Sequence, residues 1–130
     1  MFEYEIKNGV TNLNTKYGVL VVSPDHSKGF KPIELLVSSI VGCSGQILSN
    51  VLVKKRIKIS AIRIKTNVER NEKEANKVTR IDLQFIFEGK NIPEEQIRKS
   101  LDVTFKNCGM IQTLKDAVQI NASFEICPVI

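Results

Sequence analysis

One long apolar segment dominates the pattern of hydrophobic and polar positions. Residues 31–55 are mostly apolar, and the pattern predicts a helix over the whole segment. Pro32 suits the first helical position, and Glu34 lies in the first turn, where the helix dipole favours an anion. The last turn is basic, where the dipole favours cations: Lys54, Lys55 and Arg56. These signals predict both ends of a helix about 35 Å long.

Three short strands are predicted before this helix. Residues Phe2–Lys7 alternate between apolar and polar, which predicts a half-buried strand. The dipeptide Asn8-Gly9 favours a tight hairpin turn into a second strand over Val10–Leu13. The third strand, Tyr17–Val22, is apolar without interruption, which predicts burial on both of its faces.

Two longer strands are predicted after the helix. Residues Ile57–Arg70 and Lys77–Glu88 each alternate, and a polar connection joins them into an antiparallel hairpin. The alternation of the first strand changes phase at Ser60-Ala61, which predicts a β-bulge at that point.

The rest of the chain completes the order βββ-α-ββ-α-α-β. Residues Pro93–Asn107 carry a helical apolar face, Met110–Val118 predicts further helical turns, and Gln119–Ile126 predicts a last strand. Because strands and helices are clustered rather than alternating, the pattern favours an α+β fold. A chain of 130 residues without a linker is expected to form a single domain over residues 1–130.

Composition and charge exclude several classes of function. The net charge of +5 is scattered, with no run of five like charges and no aromatic-interleaved basic patch, so we expect no nucleic-acid partner. Polar residues inside the long helix argue against a membrane span. The N-terminus does not resemble a secretory signal, and three cysteines are too few for a disulfide framework, so we expect a cytoplasmic protein.

Cys43, near the middle of the long helix, is the first candidate for chemistry. It is either a small buried hydrophobe or a reactive thiol. Small neighbours leave room for a second element to approach its sulfur: Gly42, Ser44 and Gly45. Cys108 ends the apolar face of the next helix, and both helices must pack on the same sheet, so the two sulfurs are expected to meet.

Other candidates have plainer explanations. His26, next to Asp25, could activate Cys43 as in a Cys-His hydrolase, but it equally suits an exposed loop. Glu34 lies nine residues before Cys43, a rotation of about 900° that puts it on the opposite helix face. Cys127 is interpreted as an incidental thiol, and no cysteine or histidine spacing indicates a metal site.

Two segments together resemble the OsmC/Ohr family. They are KPIELLVSSIVGCSGQILSNVL, with Gly-Cys on a long helix, and FKNCGMIQTLKDAVQINASFEI, with a cysteine that ends a helix before the final strand. The resemblance covers essentially the whole chain. It implies an OsmC-like α+β fold with antiparallel sheets around the long central helix. It also implies an intertwined homodimer with the central helices packed together in its core.

The same resemblance implies a thiol-dependent peroxidase that acts on organic hydroperoxides. Cys43 would attack the peroxide and become a sulfenic acid, and Cys108 would resolve it as a disulfide. An external dithiol would then reduce the disulfide, and neither a metal nor an organic cofactor would be needed. Glu34 and His26 are candidates for supporting roles.

The chain departs from the best-known peroxidases of that family at one activating pair. Those proteins carry a glutamate directly after the proline and an arginine in the N-terminal half, whereas here Ile33 follows the proline and Arg56 is the first arginine. The pattern is closer to the broader OsmC-like branch. A cation near Cys43 would have to come from the partner subunit or from one of four residues: Lys16, His26, Lys28 and Lys31. The alternative function is a redox-sensing or small-molecule-binding dimer without efficient turnover.

Overall fold

A computed structural model describes residues 1–129 and has the predicted order of elements, so the α+β class is confirmed. The strands and helices of this part of the chain are β1 (Tyr4–Lys7), β2 (Val10–Asn14), β3 (Val19–Val22), α1 (Pro32–Lys54), β4 (Ala61–Asn71), β5 (Lys77–Gly89), α2 (Glu94–Asn107), α3 (Gly109–Leu114) and β6 (Gln119–Pro128). The chain divides into two compact units, Met1–Ser39 and Ile40–Ile130.

The first unit contains an antiparallel sheet in the order β1-β2-β3. Asn8 and Gly9 join the first two strands with φ angles of 54° and 73°, the left-handed conformation that a two-residue hairpin turn requires. The prediction of a half-buried first strand was wrong, because Tyr4 and Ile6 are 57% and 75% exposed. Val19 of β3 is also exposed, so burial of that strand on both faces was wrong as well. The apolar alternation marks a face that this single chain leaves uncovered.

The second unit contains a three-stranded sheet in the order β4-β5-β6. Strands β4 and β5 pair antiparallel, as predicted. Strand β6 pairs with β5 in parallel, from Arg80 opposite Gln119 to Gly89 opposite Pro128. The sheet is therefore mixed rather than antiparallel, because α2 and α3 form a crossover that returns the chain in the direction of β5.

The predicted bulge at Ser60-Ala61 was wrong. Strand β4 begins only at Ala61, and its register shift lies between Glu69 and Arg70. The alternation before Ala61 has another cause, since Ile57 follows α1 and its N–H donates to the Leu52 carbonyl of that helix.

Helix α1 ends in a Schellman motif. The Ile57 N–H donates to the Leu52 carbonyl at 3.0 Å, and the Arg56 N–H donates to the Val53 carbonyl at 3.0 Å. Arg56 takes the left-handed conformation, with a φ of 58°, at the position where such motifs usually carry glycine. Ile57 and Leu52 also belong to one apolar cluster, which matches the hydrophobic contact that accompanies this motif.

The core of the second unit lies between its sheet and its helices. Phe85 and Phe87 of β5 are fully buried and lie at its centre, with ring centroids 6.3 Å apart. The cluster of buried residues around them comprises Ile40, Leu48, Leu52, Ile81, Leu83, Ile97, Leu101, Cys108, Ile111 and Val118. Cys108 is thus part of the core, which fixes the position of its thiol.

Helix α1 is long and apolar enough to cross a membrane by length and composition alone. The core helix of a soluble protein passes the same test, so this is weak support for a span. Only 22% of its apolar window is buried within the chain. Among the large apolar side chains of α1, Val53 is exposed, and the others are buried or half-buried.

Candidate active site

Cys43 lies in α1 beside the residues that face the core. Its side chain is half-buried. Ile40 and Ser44 of the same helix are fully buried, whereas other neighbouring positions are more exposed. The Ser44 hydroxyl donates to the Ile40 carbonyl at 2.7 Å, so its polar group is satisfied within the helix. A Cβ atom added at Gly42 or Gly45 would meet no heavy atom within 4 Å. The space beside the thiol is therefore open in the single chain, as the small residues predicted.

Cys108 lies at the junction between α2 and α3. It ends α2 and precedes the first residue of α3, with an extended backbone at φ −80° and ψ 109°. Its carbonyl accepts the first hydrogen bond of α3, from the Gln112 N–H at 2.9 Å. Its side chain is fully buried. The free N–H groups of the first turn of α3 follow directly after this cysteine.

The two thiols influence each other's protonation, and both are free. The strongest effect on the pKa of Cys43 is a hydrogen bond from the Met110 backbone N–H, which lowers it. A hydrogen bond from the Cys108 thiol and a weaker one from the Gly109 N–H also lower this pKa, whereas burial raises it. Burial raises the pKa of Cys108 most, and the neighbouring Cys43 raises it further. The arrangement therefore favours a thiolate on Cys43 and a proton on Cys108.

The source of this stabilisation differs from the expected one. We expected a cation, but no cationic side chain among the described residues contributes to the lowered pKa of Cys43. Backbone N–H groups at the start of α3 stabilise the thiolate instead, as helix N-termini do for other cysteines. Met110 was therefore missed as a contributor to the site. The signal that could have found it was the predicted helix that begins immediately after Cys108.

Glu34 and His26 both lie in the first unit. The Glu34 carboxylate accepts a hydrogen bond from the Lys31 backbone N–H at 2.9 Å, which caps the first turn of α1. His26 is exposed in a turn, and it is not among the groups that shift the pKa of Cys43. The Ser27 hydroxyl and backbone N–H donate to Asp25 and lower the pKa of its carboxyl. The prediction that Glu34 lies in the first turn of the helix is confirmed.

The third cysteine has a separate environment. The Cys127 thiol lies 3.7 Å from the Glu125 carboxylate, near the end of β6. Within residues 1–129, no group of three or more His, Cys, Asp and Glu side chains is arranged to hold a metal ion.

Comparison with known proteins identifies the family. The sequence model of the family described as OsmC-like protein matches residues 25–123. YhfA of Escherichia coli K12 is 27% identical over 109 residues, which cover 83% of this chain and 81% of that protein.

Solved structures share the fold. A hypothetical protein from Aquifex aeolicus has a TM-score of 0.88 at 23% identity, covering 100% of this chain and 97% of its own. The organic hydroperoxide resistance protein OhrB of Bacillus subtilis has a TM-score of 0.67 at 13% identity, covering 98% of this chain and 96% of its own. At these identities the structures bear on the fold alone, but the family match spans most of the sequence. The chain therefore belongs to the OsmC-like protein family.

Proposed function

We propose that this protein is a thiol-dependent peroxidase that reduces organic hydroperoxides. The observation that carries the proposal is the pair formed by Cys43 and Cys108, whose pKa values shift in opposite directions. Such a pair supplies a nucleophilic thiolate and a protonated thiol that is held beside it. One protein of the same fold is named an organic hydroperoxide resistance protein.

The first step oxidises Cys43. Its thiolate attacks the distal oxygen of the hydroperoxide, the O–O bond breaks, and the leaving alkoxide takes a proton to become an alcohol. The sulfur gives up two electrons and becomes a sulfenic acid. The lowered pKa of Cys43 raises the thiolate fraction that is available for this attack.

The second step joins the two sulfurs. Cys108 attacks the sulfur of the Cys43 sulfenic acid, and the hydroxyl group leaves as water with the proton of Cys108. Once Cys43 is a sulfenic acid it carries no negative charge, so one of the causes that raise the pKa of Cys108 disappears. The resulting disulfide is returned to two thiols by an external dithiol, which transfers two electrons and two protons.

The surroundings support an organic substrate and a dimeric protein. Cys43 is partly buried and packs against the apolar core cluster, and an apolar environment favours an alkyl group over water. The exposed apolar side chains Tyr4 and Ile6 of β1 support a homodimer. Glu34 supports the site by holding the first turn of α1, and we assign no step to His26. A dithiol reductant is consistent with a cytoplasmic location.

A steady-state assay with tert-butyl hydroperoxide and dihydrolipoamide tests the proposal. The wild type should turn over, and Cys43→Ser should lose turnover entirely because the attacking sulfur is absent. Cys108→Ser should lose dithiol-dependent turnover yet still form one sulfenic acid per chain. Cys127→Ser is the matched control and should retain full activity. Two free thiols at Cys43 and Cys108 after peroxide treatment, seen by non-reducing mass spectrometry, would contradict the proposal.

One observation favours a second candidate function. The causes that lower the pKa of Cys43 include backbone N–H groups and the Cys108 thiol but no cation, so the activating arginine of the best-known peroxidases has no counterpart among them. The second candidate is a redox-sensing or small-molecule-binding dimer without efficient turnover. It predicts that peroxide oxidises the thiols once per chain while dihydrolipoamide sustains no catalysis, so the same assay separates the two functions.

A further inference from the structure

A basic cavity lies at the C-terminal end of α1. Its volume is about 580 Å³, and the loop after β5 and the start of α2 complete its wall. Four of its lining residues are cationic: Lys55, Arg56, Lys58 and Lys90. Lys55 lies twelve positions after Cys43, which corresponds to about 18 Å along the helix axis, so this cavity is separate from the thiol pair.

The positive charge of the cavity is not neutralised by the residues that line it. No carboxylate is among the lining residues, and none of the four cations forms an ion pair within the described part of the chain. The acidic residues that flank the lining segments in sequence are paired elsewhere: Glu88 with Arg63 at 2.9 Å, and Glu94 and Glu95 with Arg98 at 3.6 Å. The four cations are therefore available to an anion.

One of the four cations is held in place by the fold. The Lys55 ammonium group donates to the hydroxyl of the fully buried Ser100 at 2.9 Å, and it lies 3.5 Å from the Gln96 carbonyl. Lys55 is itself half-buried, so its stem is packed while its charge lies at the wall of the cavity. A fixed cation loses less side-chain entropy on binding a ligand than a free surface lysine does.

Arg56 occupies a backbone position that an arginine does not favour. It adopts a φ of 58° in the Schellman motif that ends α1, where glycine is the usual residue because it lacks a Cβ. Arg56 lines the cavity. Strained backbone positions of this kind concentrate at functional sites. The fold therefore has a cation in the cavity wall at a position where glycine would be less strained.

The chemistry of the cavity selects the class of ligand. We propose that it binds a compact polyanion of the polyphosphate class, with three or four negative charges. The volume is within the range of small-molecule sites. No aromatic residue lines the cavity, so it offers no surface on which a nucleobase could stack. Recognition should therefore depend on the phosphate chain and not on an attached base.

Isothermal titration of the full chain with inorganic tripolyphosphate, in low-salt buffer without magnesium, tests this proposal. We expect saturable binding that weakens as sodium chloride screens the charges. Arg56→Gly should weaken binding by about tenfold or more, because a charge-assisted contact is lost. The same substitution should raise the thermal midpoint, because glycine relieves the left-handed strain. Lys90→Ala, in the loop after β5, should also weaken binding.

Two control variants separate the cavity from general effects. Lys73→Ala removes one positive charge from the β4–β5 turn, outside the cavity, and should leave binding within about twofold of the wild type. Ala75→Gly relieves a left-handed residue of the same turn, with a φ of 58°, without changing the charge. It should raise the thermal midpoint and leave binding unchanged.

Three results would overturn the proposal. The first is no binding of tripolyphosphate at millimolar concentration. The second is an equal loss of affinity in Arg56→Gly and Lys73→Ala, which would indicate that only net charge matters. The third is at least tenfold tighter binding of ATP or of a single-stranded oligonucleotide than of tripolyphosphate, because either would require base recognition.

Discussion

At the scale of single residues, Cys43 and Cys108 should differ in their reactivity as the pH changes. Because the pKa of Cys43 is lowered, its thiolate should persist to a lower pH than that of an unperturbed thiol. Cys108, whose pKa is raised, should gain reactivity only at higher pH. Iodoacetamide alkylation at a series of pH values, followed by mass spectrometry, should show Cys43 reacting first. The same cysteines in urea-unfolded chain provide the reference.

The contribution of Cys108 can be measured with Cys108→Ala. The loss of its thiol hydrogen bond should raise the pKa of Cys43, yet that pKa should stay below the unfolded reference because the Met110 N–H remains. If Cys43 in the wild type titrates as it does in the unfolded chain, the proposed thiolate stabilisation is wrong.

Sequence reasoning identified both cysteines but not the group that stabilises the thiolate. Cys43 and Cys108 were recognisable from their positions on predicted helices. The Met110 N–H was not, because a backbone donor leaves no residue type to notice and acts here on a residue distant in sequence. A cationic side chain could have been recognised in the sequence, but within the described residues no cation lowers the pKa of Cys43.

At the scale of elements, the start of α3 gives a prediction about Gly109. Cys108 already has the extended backbone that a following proline requires, but a proline ring at Gly109 would replace the N–H that bonds to Cys43. Gly109→Pro should therefore lower the free energy of unfolding by more than about 1 kcal/mol. A Cβ at Gly109 would meet no heavy atom within 4 Å, so Gly109→Ala should raise it by about 0.4–1 kcal/mol, mainly by restricting the unfolded chain. Urea denaturation measures the change.

The proline substitution also probes the site. Gly109→Pro removes the weakest of the groups that lower the pKa of Cys43, so this pKa should rise slightly in the alkylation assay. Gly109→Ala is the matched control, because it keeps the N–H and should leave that pKa unchanged. A large rise in Gly109→Pro would indicate that the Gly109 N–H, not the Met110 N–H, is the main donor.

The ends of helices and strands could be predicted where local capping signals set them. They could not be predicted where one residue fits both a strand alternation and a helix end. The ends of α1 were close to the predicted ones, because proline and acidic residues start helices and basic residues end them. Ile57 was assigned to a strand because it alternates with Ile59, whereas its apolar side chain belongs to the helix end. The direction of β6 depends on how the crossover returns, which no local pattern records.

At the scale of the whole molecule, apolar residues that the single chain leaves exposed predict a homodimer. In the first unit, Phe2 just before β1 is 71% exposed, and Tyr4 and Ile6, which lie on one side of β1, are 57% and 75% exposed. An exposed apolar surface of this kind usually marks an interface. The half-buried strand expected from the sequence is consistent with a face that a second copy covers.

Sedimentation equilibrium should give a mass about twice that of the 14.6 kDa chain. Replacing Tyr4 and Ile6 together by glutamine should weaken dimerisation by tenfold or more, because each buried side chain contributes about 1.5–3 kcal/mol. Replacing Glu3 and Glu5, on the other side of the same strand, by glutamine is the matched control and should leave the dimer intact. A monomeric wild type at micromolar concentration would contradict the homodimer. If the Tyr4 and Ile6 double variant dimerises as tightly as its control, β1 is excluded from the interface. The next residue to replace would then be the exposed Val53 of α1.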